Sequence, residues 1–164
     1  MAKSIKGIVF ILLIIQFSVS SAQDVILKSI ELNSSGQITE LRFELNSSND
    51  VLALVLNGNG FFMGIEILGQ KNPIEYMYYD EYEEVELRSK LSKMGDTDIN
   101  YYSSFEVPEK AGRISKIGSI YIDYYTVDPD KASKVYSIEN IKMNYFTRSN
   151  DASLSGKIRS IGEL

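Results

Sequence analysis

The chain has 164 residues and neither histidine nor cysteine. Ser-His-Asp and Cys-His nucleophilic catalysis, histidine acid–base chemistry and the usual zinc sites all need one or both, so those chemistries are excluded. There is no phosphate-binding Gly-Lys-Ser/Thr loop and no Gly-x-Gly-x-x-Gly fingerprint. Asn57-Gly-Asn-Gly60 is a hairpin turn with no helix behind it. Carboxylates remain. A pair of them could hydrolyse a glycosidic bond, but the acids lie mostly in polar connecting segments, where solvation explains them. Residues 80–86, Asp-Glu-Tyr-Glu-Glu-Val-Glu, hold five acids in seven positions. Asp128 and Asp130 with Glu139 have the outline of a twelve-residue calcium loop. Ala132 stands at its fifth position and Ser133 where the glycine belongs, so the match fails. No catalytic residue, cofactor-binding residue, cofactor or metal ligand is expected.

Tyrosine is the other reactive-looking residue. All 11 tyrosines lie between Tyr76 and Tyr145. Adjacent aromatics on a strand point to opposite faces, so one ring of each pair packs inward while the other stands outward. Tyr79, Tyr102, Tyr125 and Phe146 then form a row of outward rings. Cross-strand aromatic pairs stabilise a sheet by about 0.2–1 kcal/mol each, which is sufficient reason for the row. An exposed aromatic row can also bind sugars or a partner protein, so these four are the candidate ligand-contact residues.

The elements that must position these rings recur. Leu91, Met94, Gly95, Thr97, Ile99, Tyr101 and Tyr102 stand 23 residues before Ile114, Ile117, Gly118, Ile120, Ile122, Tyr124 and Tyr125. Val135, Ile138, Glu139, Ile141, Met143, Tyr145 and Phe146 follow 21 residues later, and Ile158, Ile161, Gly162 and Leu164 begin another copy. A basic residue precedes the first apolar position each time: Lys90, Arg113, Lys134 and Lys157. Tyr76, Tyr78 and Tyr79 keep the aromatic end of an earlier copy. A period of this length marks units that bury their apolar faces only against neighbours. Ile120, Ile122 and Tyr124 alternate and share a strand face, whereas Ile114, Ile117 and Ile120 are three apart. A bulge or a two-residue turn near Gly118 must shift the phase. Each copy is therefore a hairpin or kinked strand in a long antiparallel sheet, with a β-solenoid as the alternative.

Residues 24–68 read as an antiparallel meander. Strands are expected over 24–32, with a phase change at Lys28-Ser29, over 38–45, 51–56 and 61–68. Turns fall at Asn33-Ser-Ser-Gly36, Asn46-Ser-Ser-Asn-Asp50 and Asn57-Gly-Asn-Gly60. The fold class is all-β. A seam near Gly69-Gln-Lys-Asn-Pro73 divides the meander from the copies, within one domain spanning 23–164. Glu84/Arg88 and Glu86/Lys90 are favourable i,i+4 pairs, so a short helix is expected in 80–90.

The pattern basic-Ile-x-x-Ile-Gly-x-Ile-x-Ile-x-Tyr-Tyr, behind an Ala-Gln junction, resembles a group of exported bacterial proteins with tandem repeats of this kind. The resemblance covers residues 90–164 well and 24–70 loosely. It implies destination and fold, and carries no site residues.

Residues 1–22 have the form of a secretory signal peptide: Lys3 and Lys6, an apolar stretch over 8–15, and Ser20-Ser-Ala22 for cleavage. That predicts a secreted or periplasmic protein with no membrane span after processing. Loss of Lys3 and Lys6 leaves 15 basic against 22 acidic residues, a net charge of −7. An acidic surface repels phosphate backbones, so nucleic acid is not an expected partner. The function expected is a non-enzymatic structural or interaction module that binds a protein, with a glycan-binding β domain as the alternative. The last copy could leave an unpaired edge strand for oligomer formation.

Overall fold

The computed structural model describes residues 25–47, 50–68 and 74–162. The expected leader at 1–22, the 69–73 seam, Leu164 and the middle of the 46–50 turn lie outside the described residues. The fold is all-β, with two antiparallel sheets in meander order. The first contains β1 (Val25–Leu32), β2 (Ile38–Ser47), β3 (Asp50–Asn57) and β4 (Phe62–Ile67). The second contains β5 (Tyr76–Tyr78), β6 (Leu91–Met94), β7 (Thr97–Tyr101), β8 (Ile114–Ile117), β9 (Ile120–Tyr124), β10 (Val135–Ile138), β11 (Ile141–Tyr145) and β12 (Ile158–Ile161), each beside the next.

Alternation builds the first sheet. Leu41, Phe43 and Leu45 of β2 and Leu52, Leu54 and Leu56 of β3 are fully buried on its inner face. The phase change in β1 is a bulge between Leu27 and Ser29. The continuous apolar run of β3 has a second reason to be buried. On the outer face Arg42 pairs with Glu40 at 2.7 Å and also with Glu66, and Lys28 with Glu44 at 2.7 Å. Arg42 and Glu44 stand opposite Val55 and Ala53, so their aliphatic stems roof these two residues.

In the second sheet the hairpins fall at the spacing of the sequence repeat. β6–β7, β8–β9 and β10–β11 each close with a two-residue turn, pairing Met94 with Thr97, Ile117 with Ile120 and Ile138 with Ile141. Gly95, Gly118 and Glu139 take positive φ at the first turn position, the signature of a type II′ turn. Both phase-shifting devices are present. The turn carries Ile117 to Ile120, and a bulge at Ser115 carries Ile114 to Ile117, since Tyr101 faces Ile114 while Asn100 faces Lys116. Ser92, Tyr136 and Arg159 are the corresponding extra residues. Ile99, Ile122 and Met143 are buried alike, opposite Ile117, Ile138 and Ile161.

The inner faces of the two sheets share one core. The two sheets are joined where the Val135 N–H donates to the Gly60 carbonyl at 3.0 Å, just before β4, and Ile65 and Ile67 line one cleft with Tyr76, Leu91 and Ile114. Gly60 has no room for a side chain, because a Cβ there would lie 1.9 Å from the Tyr145 hydroxyl.

The helix expected in 80–90 does not form. That segment is a series of turns, opened by the Tyr82 N–H bonding to Asp80 Oδ1 at 2.8 Å. Its charged residues are drawn to other partners. Glu84 and Glu86 accept from Ser103 and Ser104 of the next connecting loop, and Lys90 bonds to the Gly112 carbonyl. Tertiary hydrogen bonds outweigh i,i+4 pairs worth about 0.2–0.5 kcal/mol. One turn of 3₁₀ helix, Pro108–Lys110, is the only helical element among the described residues. None of those residues forms a helix long and apolar enough to cross a membrane, which says nothing of a β-barrel.

Candidate functional site

Each copy ends in an aromatic pair from which a connecting loop departs, and the two rings take different jobs. The first ring, Tyr101, Tyr124 or Tyr145, turns toward the core. The Tyr101 and Tyr145 hydroxyls donate to the Leu91 and Val135 carbonyls at 2.9 and 2.7 Å. The second ring belongs to the candidate row, and the structure brings its members into register. Tyr79, Tyr102 and Tyr125 are half-buried, and each donates its hydroxyl to a carbonyl of the following copy: Ile99 at 3.2 Å, Ile122 at 3.0 Å and Met143 at 2.9 Å. Each also meets the following copy's first ring edge-on, with centroids 5.9 to 6.3 Å apart for Tyr79–Tyr101 and Tyr102–Tyr124 and 5.8 Å for Tyr125–Tyr145. Lys110 and Lys131 lie 5.1 and 5.2 Å above the Tyr102 and Tyr125 rings. Phe146, half-buried under Arg159, closes the row where no further copy stands among the described residues. These contacts occupy the edge, the hydroxyl and much of one face of the tyrosine rings.

The basic residue before each copy forms a parallel line. Lys90, Arg113 and Lys134 pass over the Tyr101, Tyr124 and Tyr145 rings at 5.0, 5.4 and 5.2 Å. Lys90 and Lys134 end on the carbonyls of Gly112 and Gly156, whereas Arg113 Nη2 donates to the Ser133 hydroxyl at 2.6 Å. Gly112, Ser133 and Gly156 all have positive φ, which turns their carbonyls or side chains toward the preceding copy. Burial lowers the Lys90 and Lys134 ammonium pKa values and raises those of the tyrosines, to about 12 for Tyr101 and Tyr102.

The acids are likewise committed to loop structure. Hydrogen bonding to Ser104 holds the Glu86 carboxyl at about 2. Asp130 accepts the Arg148 N–H at 2.8 Å and pairs with its guanidinium at 3.2 Å. Glu139, in the β10–β11 turn, accepts the Tyr121 N–H of β9 at 2.6 Å. No group of three or more acids among the described residues converges as a metal site would.

The most exposed large apolar side chains are on the loops. Tyr82 is 89% exposed, Phe105 86% and Val127 92%, with Val85 beside Tyr82 also exposed. Tyr82 and Phe105 are 23 residues apart, three positions after the second ring of their copies, and Val127 lies two positions after Tyr125. Glu84–Ser103 and Glu86–Ser104 tie the first of these loops to the second, and Arg113–Ser133 ties the second copy to the third. The row is therefore on one loop face of the array. Sequence reasoning missed it, although the 23-residue period that aligns Tyr79 with Tyr102 also aligns Tyr82 with Phe105.

An open cleft of about 380 Å³ is lined by strand residues rather than by these loops: Phe62, Ile65 and Ile67 of β4 with Tyr76, Leu91 and Ile114 among others, and no charged side chain. Its lining is largely apolar, with Tyr76 and Tyr101 contributing hydroxyl groups. Comparison with known protein families, curated proteins and solved structures finds no match to this chain.

Proposed function

We propose that the protein is an exported, non-catalytic interaction module that contacts a partner protein through the loop face of its hairpin array. The observation that carries this reading is the row Tyr82, Phe105 and Val127: three large apolar side chains, each nearly fully in water, at related positions of consecutive loops. Burying such a side chain is worth about 1.5–3 kcal/mol, so a chain that leaves three of them in water on one face has a surface suited to being covered. Export rests on the leader-like residues 1–22 and on the resemblance to exported repeat proteins. A protein partner suits the row better than a sugar does, because carbohydrate stacking needs ring faces and Val127 has none. Tyr79, Tyr102 and Tyr125 serve in this reading as the rigid frame beneath the loops.

The test replaces Phe105 by a photo-crosslinking phenylalanine analogue in the producing cells. A discrete adduct is expected, lost when Tyr82→Ser and Val127→Ser are added, while thermal stability stays within about 0.5 kcal/mol as for other exposed positions. Absence of any adduct, or an adduct indifferent to the two serines, would sink the reading. Retardation in polysaccharide-containing gels, abolished by Tyr82→Ala and Phe105→Ala, would transfer the surface to the glycan alternative.

A further inference from the structure

The second sheet ends on two strands that are complementary halves of the same hairpin. β6, β8, β10 and β12 are first strands and β5, β7, β9 and β11 are second strands. Among the described residues the sheet runs from β5, a second strand without the first strand of its own hairpin, to β12, a first strand without the second strand of its own hairpin. We propose that β12 of one copy of the protein pairs with β5 of another, head to tail, in the register of the internal hairpins. This surface is distinct from the loop face, and neither assignment depends on the other.

The spacing fixes the register. In the internal hairpins Ile117 faces Ile120 and Lys116 faces Tyr121, and the equivalent residues of the free strands are Ile161 with Ile74 and Ser160 with Glu75. Backbone polarity agrees at both ends. The Gly162 N–H donates to the Lys142 carbonyl, so by alternation the N–H and C=O of Ile161 point away from β11. The Gly95 N–H donates to the Glu75 carbonyl, so those of Ile74 and Tyr76 point away from β6. Both outward pairs are thus free to make the hydrogen bonds that Ile117 and Ile120 make inside the chain. Side chains agree as well: Ile74 and Ile161 are both half-buried against the core, so pairing them continues the apolar face across the junction. The β5 edge is short and is flanked by Glu75, yet Tyr76, Met77 and Tyr78 are all exposed aromatic or apolar residues, with no lysine or proline among them. Because the two surfaces differ, the contact is heterologous and builds chains or closed rings.

The absence of cysteine makes the test direct. Ser160→Cys and Glu75→Cys are made in separate molecules. In the proposed register these positions form a non-hydrogen-bonded pair about 4.5 Å apart at Cα, within the range of about 4.4–6.8 Å that a disulfide spans. On oxidation the equimolar mixture is expected to give a disulfide-linked dimer that neither variant gives alone, and the double variant a ladder of larger species. Ile161→Pro, which removes an outward N–H without touching the β11 ladder, should abolish the crosslink when placed in the Ser160→Cys molecule. No dimer in the mixture overturns the proposal. So does dimerisation of either variant with itself, which would mean symmetric edge pairing. Neither result bears on the Phe105 crosslinking experiment, so the two readings fail separately.

Discussion

Lys134 Nζ donates to the Gly156 carbonyl oxygen at 2.6 Å, joining two copies through residues 22 positions apart. The lysine is 6% exposed, and its ammonium also stands over the Phe61 and Tyr145 rings at 5.0 and 5.2 Å. Phe61 belongs to the turn before β4, so this one cation touches both sheets.

Lys134→Met keeps the stem and removes the donor and the charge. A destabilisation of about 1.5–3 kcal/mol is expected, the range for a hydrogen bond to a charged group. Lys90→Met should cost less, since Lys90 is more exposed and covers the Tyr101 ring alone. Urea midpoints at constant m-value compare the two, and equal shifts would contradict the role given to Phe61.

The line alternates its chemistry: lysine meets a glycine carbonyl, and arginine meets a serine hydroxyl. Arg113→Lys and Ser133→Gly should each destabilise, while the double variant recreates the Lys134–Gly156 arrangement. A coupling energy of about 0.5–2 kcal/mol in a double-mutant cycle is the expected result. Simple additivity would show that the pairing is incidental.

The tyrosine hydroxyls carry a third prediction. Tyr102→Phe and Tyr125→Phe retain the ring and lose the bond to the next copy, each costing about 0.5–1.5 kcal/mol in thermal or denaturant unfolding. Phe146→Tyr should change stability by less than about 0.5 kcal/mol, because among the described residues no following copy supplies a carbonyl for its hydroxyl. A gain of stability at position 146 would count against the ladder.

Burial raises the pKa values of Tyr79, Tyr101, Tyr102, Tyr124, Tyr125 and Tyr145, those of Tyr101 and Tyr102 to about 12. A raised folded value means that their contribution is complete below pH ~10 and is lost as pH climbs toward 12, because the unfolded chain releases protons that the fold retains. Lys90 and Lys134, lowered by burial, act with the opposite sign, and their window closes at their ordinary value of 10.5. Alkaline unfolding followed by circular dichroism should therefore coincide with a late phase of tyrosinate absorbance. Ionisation of all these rings before the strand signal falls would refute the assignment.

Much of this architecture was readable from residue order. Gly95 and Gly118 marked turns, and the three-residue spacing of Ile114, Ile117 and Ile120 demanded a shift of phase, which the fold supplies twice. The spacing admits a bulge or a turn as alternatives near Gly118; that both occur, with the bulge at Ser115, has no compositional signature. The basic residue before each copy was visible, but its target was not, since Lys90 and Gly112 are joined only once strands stack. The same limit applied to Glu84 and Glu86. Local spacing paired them with Arg88 and Lys90 on a helix, while the fold gave them to Ser103 and Ser104. Tyr79, Tyr102 and Tyr125 do line up as the period implies, but strand alternation predicts outward rings, whereas each is half-buried with its hydroxyl bonded to the next copy. Tyr82, Phe105 and Val127 sit in polar connecting segments, where the period aligns Tyr82 with Phe105 but exposure has no local sign.

The first sheet is moored to the array at the third copy: the Val135 N–H bonds to the Gly60 carbonyl, Tyr145 closes on Gly60, and Lys134 stands over Phe61. The copies are thus alike in sequence and unequal in duty. Exchanging the third for a duplicate of another would cost that mooring even where the transplanted hairpin closed as before.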